Sequence, residues 1–271
     1  MKKILAVVFA LIATPSLAAP KCVELEGDAK QTWFDKHTPG PIPFTLDEVI
    51  VRRGYVTAYD HVNNIPFISF WKGETEYLDT PEREGRWKSF KPDPALPEEN
   101  QVVTSDYTNS GYHRGHLVPY FVSGGDRDND GMDAELEGQD KLPIEDIDDA
   151  CTVFEINYMS NIAPQLPQFN SQGGAWYDFE THNRKRLKDG EELHFSAATI
   201  FINNEEKKFI GKKHKIAVPH AFWKAVVDGS GTNSYYLFWN ELEGDREFGC
   251  HPKDDWQSCE ISFRQLQSLG K

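Results

Sequence analysis

Tyr112-His113-Arg114-Gly115-His116 opens the stretch that decides the fold, which resumes beyond an acidic segment at Ser160-Asn161-Ile162-Ala163-Pro164-Gln165. Asn170 follows, and then Gly174-Ala175-Trp176-Tyr177-Asp178-Phe179-Glu180. Over residues 173–188, Trp176, Phe179, Asn183 and Leu187 recur at helical spacing, and Asp189-Gly190 supplies a stop. Thr152-Val153-Phe154-Glu155-Ile156-Asn157-Tyr158 reads as a buried strand. The expected order is a strand carrying His116, a connection, that second strand, a loop with Asn161 and Asn170, and a helix carrying Glu180. Further strands are expected at 50–59, 65–71, 193–202, 215–219, 222–227 and 234–239, with 80–100 as loop. Strands and helices are intermixed without βαβ alternation, which predicts an α+β class with a largely antiparallel sheet flanked by helices.

Chemically, the stretch supplies a histidine base, an amide and a carboxylate able to hold a hard cation, and arginines for a phosphate. Together these suit metal-assisted cleavage of a phosphodiester. Each residue also has an ordinary reading. A histidine beside Arg-Gly is often structural, Glu180 and Arg184 are spaced for a helix ion pair, and Asn170 is placed to cap the following helix.

Order and spacing together make the chain resemble the DNA/RNA non-specific endonuclease family. Its motifs read Asp-Arg-Gly-His, Ser-Asn-x-x-Pro-Gln, Asn and Ala-Trp-x-x-x-Glu. The likeness spans residues 55–227, taking in Phe90, Asp93-Pro94 and Ser105-Asp106-Tyr107 before the histidine. The resemblance implies a ββα-metal motif with His116 as general base and Asn170 as the Mg²⁺ ligand. It implies that Glu180 holds water at the metal, that Arg114 and Arg184 grip phosphate oxygens, and that Asn161 and Gln165 support the loop. Arg86 or Lys88 would assist, and DNA and RNA would be cut to 5′-phosphate ends. Two features depart from the pattern. His113 stands where the family has Asp, and the path from Asn170 to Ala175-Trp176 is two residues longer.

The acidic segment carries its own signal. Asp126-Arg127-Asp128-Asn129-Asp130-Gly131-Met132-Asp133-Ala134-Glu135-Leu136-Glu137 fits the D-x-[DN]-x-[DN]-G-x5-E pattern of a Ca²⁺ loop within an acidic insertion at 123–150. Asp126, Asp128, Asp130 and Glu137 would supply side chains and Met132 a carbonyl, with Gly131 at the turn. Asp133 stands at a normally apolar position, and Gly138 opposes a long exit helix. Catalytic Mg²⁺ and structural Ca²⁺ would be distinct.

The rest of the composition sets the context. Lys2-Lys3, an apolar run over 4–13 and Ser16-Leu17-Ala18 form the pattern of a secretory signal peptide over 1–18. That run is too short for a membrane anchor. One nuclease domain over 19–271 and an exported, periplasmic or secreted protein are therefore expected, with no protein partner evident. Of its four cysteines, Cys250 and Cys259 are close and expected to pair, leaving Cys22 for Cys151; three connectivities are open. A net charge of −14 opposes polyanion binding. The acid is concentrated over 126–149, however, while 184–188 and 207–215 are basic clusters. The competing expectations are a calcium-binding interaction module on an inactive nuclease scaffold and a metal-dependent phosphodiesterase of smaller esters.

Overall fold

The computed structural model describes residues 22–38, 40–134, 144 and 146–269. The expected leader at 1–18 and the expected calcium ligand Glu137 lie outside the described residues. The strands are β1 Ile50–Val51, β2 Val56–Asp60, β3 Ile65–Gly73, β4 His113–His116, β5 Ile162–Gln165, β6 Leu193–Ile200, β7 Lys208–Ile210, β8 Ile216–Val218, β9 Ala221–Asp228, β10 Asn233–Trp239 and β11 Glu260–Ile261. The helices are α1 Gly27–His37, α2 Ile147–Glu155, α3 Ala175–Lys188 and α4 Phe263–Ser268. Seven strands form one antiparallel sheet in the order β1-β2-β3-β6-β9-β10-β11, and β4-β5 and β7-β8 are separate antiparallel ribbons. The class is α+β. No described helix is long and apolar enough to cross a membrane.

Local chemistry explains the β2-β3 hairpin. The Asp60 carboxylate accepts the N–H groups of Val62 and Asn63 at 2.9 Å, and Asn64 takes a left-handed φ of 54°. The strand expected over 50–59 is interrupted, because residues 52–55 turn between β1 and β2. In that turn Arg52 pairs with Glu24 and Asp93, and Arg53 pairs with Asp148 and Glu155.

Helix α3 lies on the sheet through Trp176, Phe179 and Leu187, all buried. Trp176 meets Phe169 at 5.3 Å and both Phe222 and Phe238 at 5.4 Å between ring centroids. These rings anchor the helix that carries Glu180 to the main hydrophobic core.

The strand expected over 152–158 is instead the end of α2 and a turn after it. Asp146 caps this helix, accepting from the N–H groups of Asp148 and Asp149. Residues 149–155 are all buried, so no polar face marked the period, and a short apolar run is compatible with either structure. The second strand of the ββα unit is β5, which pairs His116 with Ile162 and His113 with Gln165. Disulfides join Cys22 to Cys151, and Cys250 to Cys259.

Candidate active site

His116 ends β4 and is nearly buried, its ring 5.3 Å from that of Phe90. Beyond it, the chain is held by Asn161. The Asn161 amide accepts from the Val118 N–H at 2.9 Å and donates to the carbonyls of Val118 and Ile156 at 3.0 Å. Asn161 is fully buried, and its role is to hold the turn. Gln165 is buried across from Gly115, where any Cβ would stand 2.0 Å from the Gln165 side-chain oxygen; glycine is required there.

Asn157, which the sequence reading did not select, fixes the histidine tautomer. Its amide nitrogen donates to the Trp87 and Val153 carbonyls at 2.9 and 3.2 Å, so its oxygen is the atom facing His116. The His116 Nε2–H therefore donates to that oxygen at 3.2 Å, leaving the Nδ1 lone pair free to accept a proton. Burial, assisted by the positive charges of Arg83 and Arg114, lowers the His116 pKa to about 3. The ring is thus neutral at physiological pH. Protonation removes a base, so lowering the pKa moves the acidic limb of the rate profile downwards. The rate measured against pH should hold its plateau through pH 6.5, and a limb with its midpoint at an ordinary histidine pKa would contradict the geometry.

Beside His116 opens a cleft of ≈ 450 Å³, lined in part by Arg83, Phe90, Tyr112, His113, Arg114 and Asn170. Its arginines lie on aromatic faces. The Arg114 and Arg83 guanidinium carbons are 4.6 and 4.9 Å from the Phe90 centroid. Arg184, which is not among the residues lining this cleft, lies 4.4 Å from the Phe121 centroid. Among the described residues none of the three is paired with a carboxylate, whereas Arg52, Arg53, Arg186 and Arg246 all are. Arg83 was not anticipated from sequence. Arg86, which was, lies over Trp87 and does not line the cleft, and Lys88 is exposed.

Asn170 is half-buried at the cleft, and its side-chain amide makes no hydrogen bond among the described residues. It does not cap α3, whose N-cap is Gly174. Glu180 projects from the second turn of α3. Its ion partner is Lys224 of β9, at 2.6 Å, and not Arg184. Burial pushes the Glu180 carboxyl up and the Lys224 ammonium down, and each opposes the other's shift. The unpaired Asn170 amide oxygen is a hard donor that fits Mg²⁺, an ion that takes few protein ligands.

The basic clusters divide. On α3, Arg186 is committed to Glu191, and Arg184 alone faces Phe121. In the other cluster, Asp106 accepts the N–H groups of Lys212, Lys213 and His214 and pins that loop to the Thr104–Tyr107 turn. Thr104 and Tyr107 line the same cleft.

At the acidic loop, carboxylate oxygens of Asp126, Asp128 and Asp130 lie within 4.8 Å of one another. Asp126 accepts from the Asp130 and Gly131 N–H groups, and Gly131 has a φ of 88°, a value suited to glycine. Met132 is exposed, with its N–H bonded to Asp130 at 2.8 Å.

A family model described as DNA/RNA non-specific endonuclease matches residues 38–270. A nuclease of Nostoc sp. is 27% identical over 241 residues, which cover 84% of this chain and 74% of that protein. A nuclease of Serratia marcescens is 27% identical over 199 residues, covering 70% of this chain and 62% of that one. Human mitochondrial endonuclease G is 24% identical over 146 residues, 51% of this chain and 40% of that protein. A solved EndoG/EndoGI complex shares the fold with a TM-score of 0.62 at 19% identity, covering 90% of this chain and 91% of that chain.

Proposed function

The chain belongs to the DNA/RNA non-specific endonuclease family and is an endonuclease, and from that premise we infer that it hydrolyses both DNA and RNA with little sequence preference, using Mg²⁺. The observation carrying this reading is the pair of cleft arginines, Arg83 and Arg114, without carboxylate partners among the described residues, whose charges act on a neutral, oriented histidine. They account for polyanion binding by a protein of net charge −14, because the local field at the cleft is positive. Their reach is to non-bridging phosphate oxygens, which carry no base identity.

In this mechanism His116 Nδ1 takes the proton from the water that attacks phosphorus, while Asn157 holds the ring. Arg83, Arg114 and Arg184 hold the phosphate. Asn170 would hold Mg²⁺ through its amide oxygen, and Glu180 would hold water beside it. Bound Mg²⁺ supplies charge neutralisation at the phosphate and the leaving oxygen. Asp126, Asp128, Asp130 and Glu137, with the Met132 carbonyl, would hold Ca²⁺ as a separate structural ion. The leader at 1–18 directs one nuclease domain, 19–271, to the periplasm or beyond; the two disulfides suit an oxidising compartment.

Plasmid DNA and RNA incubated with the purified protein should both be degraded in Mg²⁺ and both survive in EDTA. Intact substrates in Mg²⁺ would overturn the reading. Asn170→Ala should shift the activity curve to higher Mg²⁺ concentration as well as lower it. An unchanged metal requirement would mean that the two-residue extension has moved the ligand elsewhere.

A further inference from the structure

The hydrolytic mechanism makes no use of the basic segment that runs through β7 and β8. Lys208, Lys212, Lys213 and Lys215 are exposed, and among the described residues none of them pairs with a carboxylate, whereas Lys72 and Lys224 both do. Lys207, the first of the run, is engaged with the Asn63 side-chain oxygen at 3.3 Å and lies 4.6 Å from the Phe201 centroid. In a chain of net charge −14, these uncompensated cations between residues 208 and 215 make a local positive field.

The fold fixes this loop against the cleft. Asp106 Oδ1 accepts the backbone N–H groups of Lys212, Lys213 and His214 at 3.1, 2.8 and 3.3 Å, and its Oδ2 accepts from His214 Nδ1 at 2.8 Å. Asp106 stands in the turn between Thr104 and Tyr107, both of which line the cleft. Gly211, with a φ of 95°, shapes the loop, and a Cβ there would stand 1.9 Å from the His214 carbonyl oxygen. Behind the loop, Ile216 shares an apolar cluster with Tyr107, and Ile210 and Phe90 pack against that cluster. Phe90 is the ring on which Arg83 and Arg114 lie. The backbone of Lys212 and Lys213 is thus tied to the cleft wall while the side chains stay in solvent.

A nucleic-acid strand presents a phosphate about every 3.4 Å along its helix axis. A strand gripped at one phosphate in the cleft therefore carries its neighbouring phosphates past the adjoining wall. Lysines without protein partners hold such phosphates through charge and read no base identity.

We propose that the β7-β8 loop is a second nucleic-acid contact, at which Lys208, Lys212, Lys213 and Lys215 hold phosphates of the substrate strand outside the cleft. This rests on the nuclease reading above and extends it from the scissile phosphate to the strand beyond. Long strands should therefore bind more tightly than short ones, and the difference should reside in these lysines.

The test uses the full chain in excess Mg²⁺, with poly(dT) as substrate and tetrathymidylate as a competitor of its cleavage, at several salt concentrations. Replacing the four lysines together, each Lys→Gln, should raise KM for poly(dT) on the order of tenfold and leave kcat unchanged, the mark of lost uniform binding. The fall of log(1/KM) with log salt should become shallower by about 0.7 for each lysine that held a phosphate. Inhibition by tetrathymidylate should stay as in wild type, and the fourfold Lys→Arg variant should keep the wild-type KM. A wild-type KM and salt slope in the Lys→Gln variant overturn the loop contact and leave the nuclease reading standing. Equal weakening of poly(dT) and tetrathymidylate, or failure of Lys→Arg to keep the wild-type KM, also overturns the contact, because the loop would then act only on the shape of the cleft. Wild-type protein that leaves poly(dT) intact overturns both readings. If the fourfold variant fails to fold, Lys212→Gln with Lys213→Gln decides by the same change of salt slope.

Discussion

Replacing His116 with alanine should lower the rate of hydrolysis on the order of 10²–10⁴-fold while the protein stays folded. The effect is large because the His116 ring is held in one tautomer by the buried Asn157 amide. Asn157 holds Nε2, and the free Nδ1 is the only ring atom left to take a proton. The substitution also leaves the Asn157 oxygen without its donor, which costs about 1–3 kcal/mol in a buried setting. Circular dichroism and urea unfolding must therefore accompany the assay. A folded variant with near-normal turnover would remove His116 from the chemistry.

Lys224→Met should give the largest loss of stability, about 3–5 kcal/mol, because it leaves one member of a buried pair uncompensated. The Lys224 ammonium is 1% exposed, bonds Glu180 at 2.6 Å and lies 3.6 Å from the Trp176 centroid. Without it, the Glu180 carboxyl is pushed further towards its neutral form, so activity should fall with stability. The double variant Lys224→Met with Glu180→Gln should recover part of the stability, since no buried charge remains. Equilibrium unfolding in urea reads both effects. A single variant within about 1 kcal/mol of wild type would show that Glu180 does not depend on Lys224.

The sites expected and the sites found differ in instructive places. The helical face of Trp176, Phe179, Asn183 and Leu187 was legible because α3 has one buried side and one wet side. The segment that became α2 was not, because its residues 149–155 are all buried and its acidic cap lies upstream of them. Arg83 was missed in favour of Arg86 because both are near Phe90 in sequence. Their separation arises from the turn at Gly85–Lys88, which sends Arg86 to Trp87. The i,i+4 spacing of Glu180 and Arg184 pointed to a local pair, but Lys224 from the sheet reaches Glu180. A partner 44 residues away leaves no trace in spacing.

The amino-acid order by itself determined the family, the α+β class and the enzyme class, because these rest on residue types at fixed separations along the chain. It also singled out the stretches from Tyr112 to His116 and from Ser160 to Glu180, on which the proposed mechanism is built. Tertiary structure alone decided which arginines remain unpaired, which tautomer His116 adopts and which cation accompanies Glu180. Those properties depend on burial and on contacts between distant segments. The charge of a side chain is written in the sequence, but whether that charge is neutralised, desolvated or left facing a cleft is decided only when the chain folds.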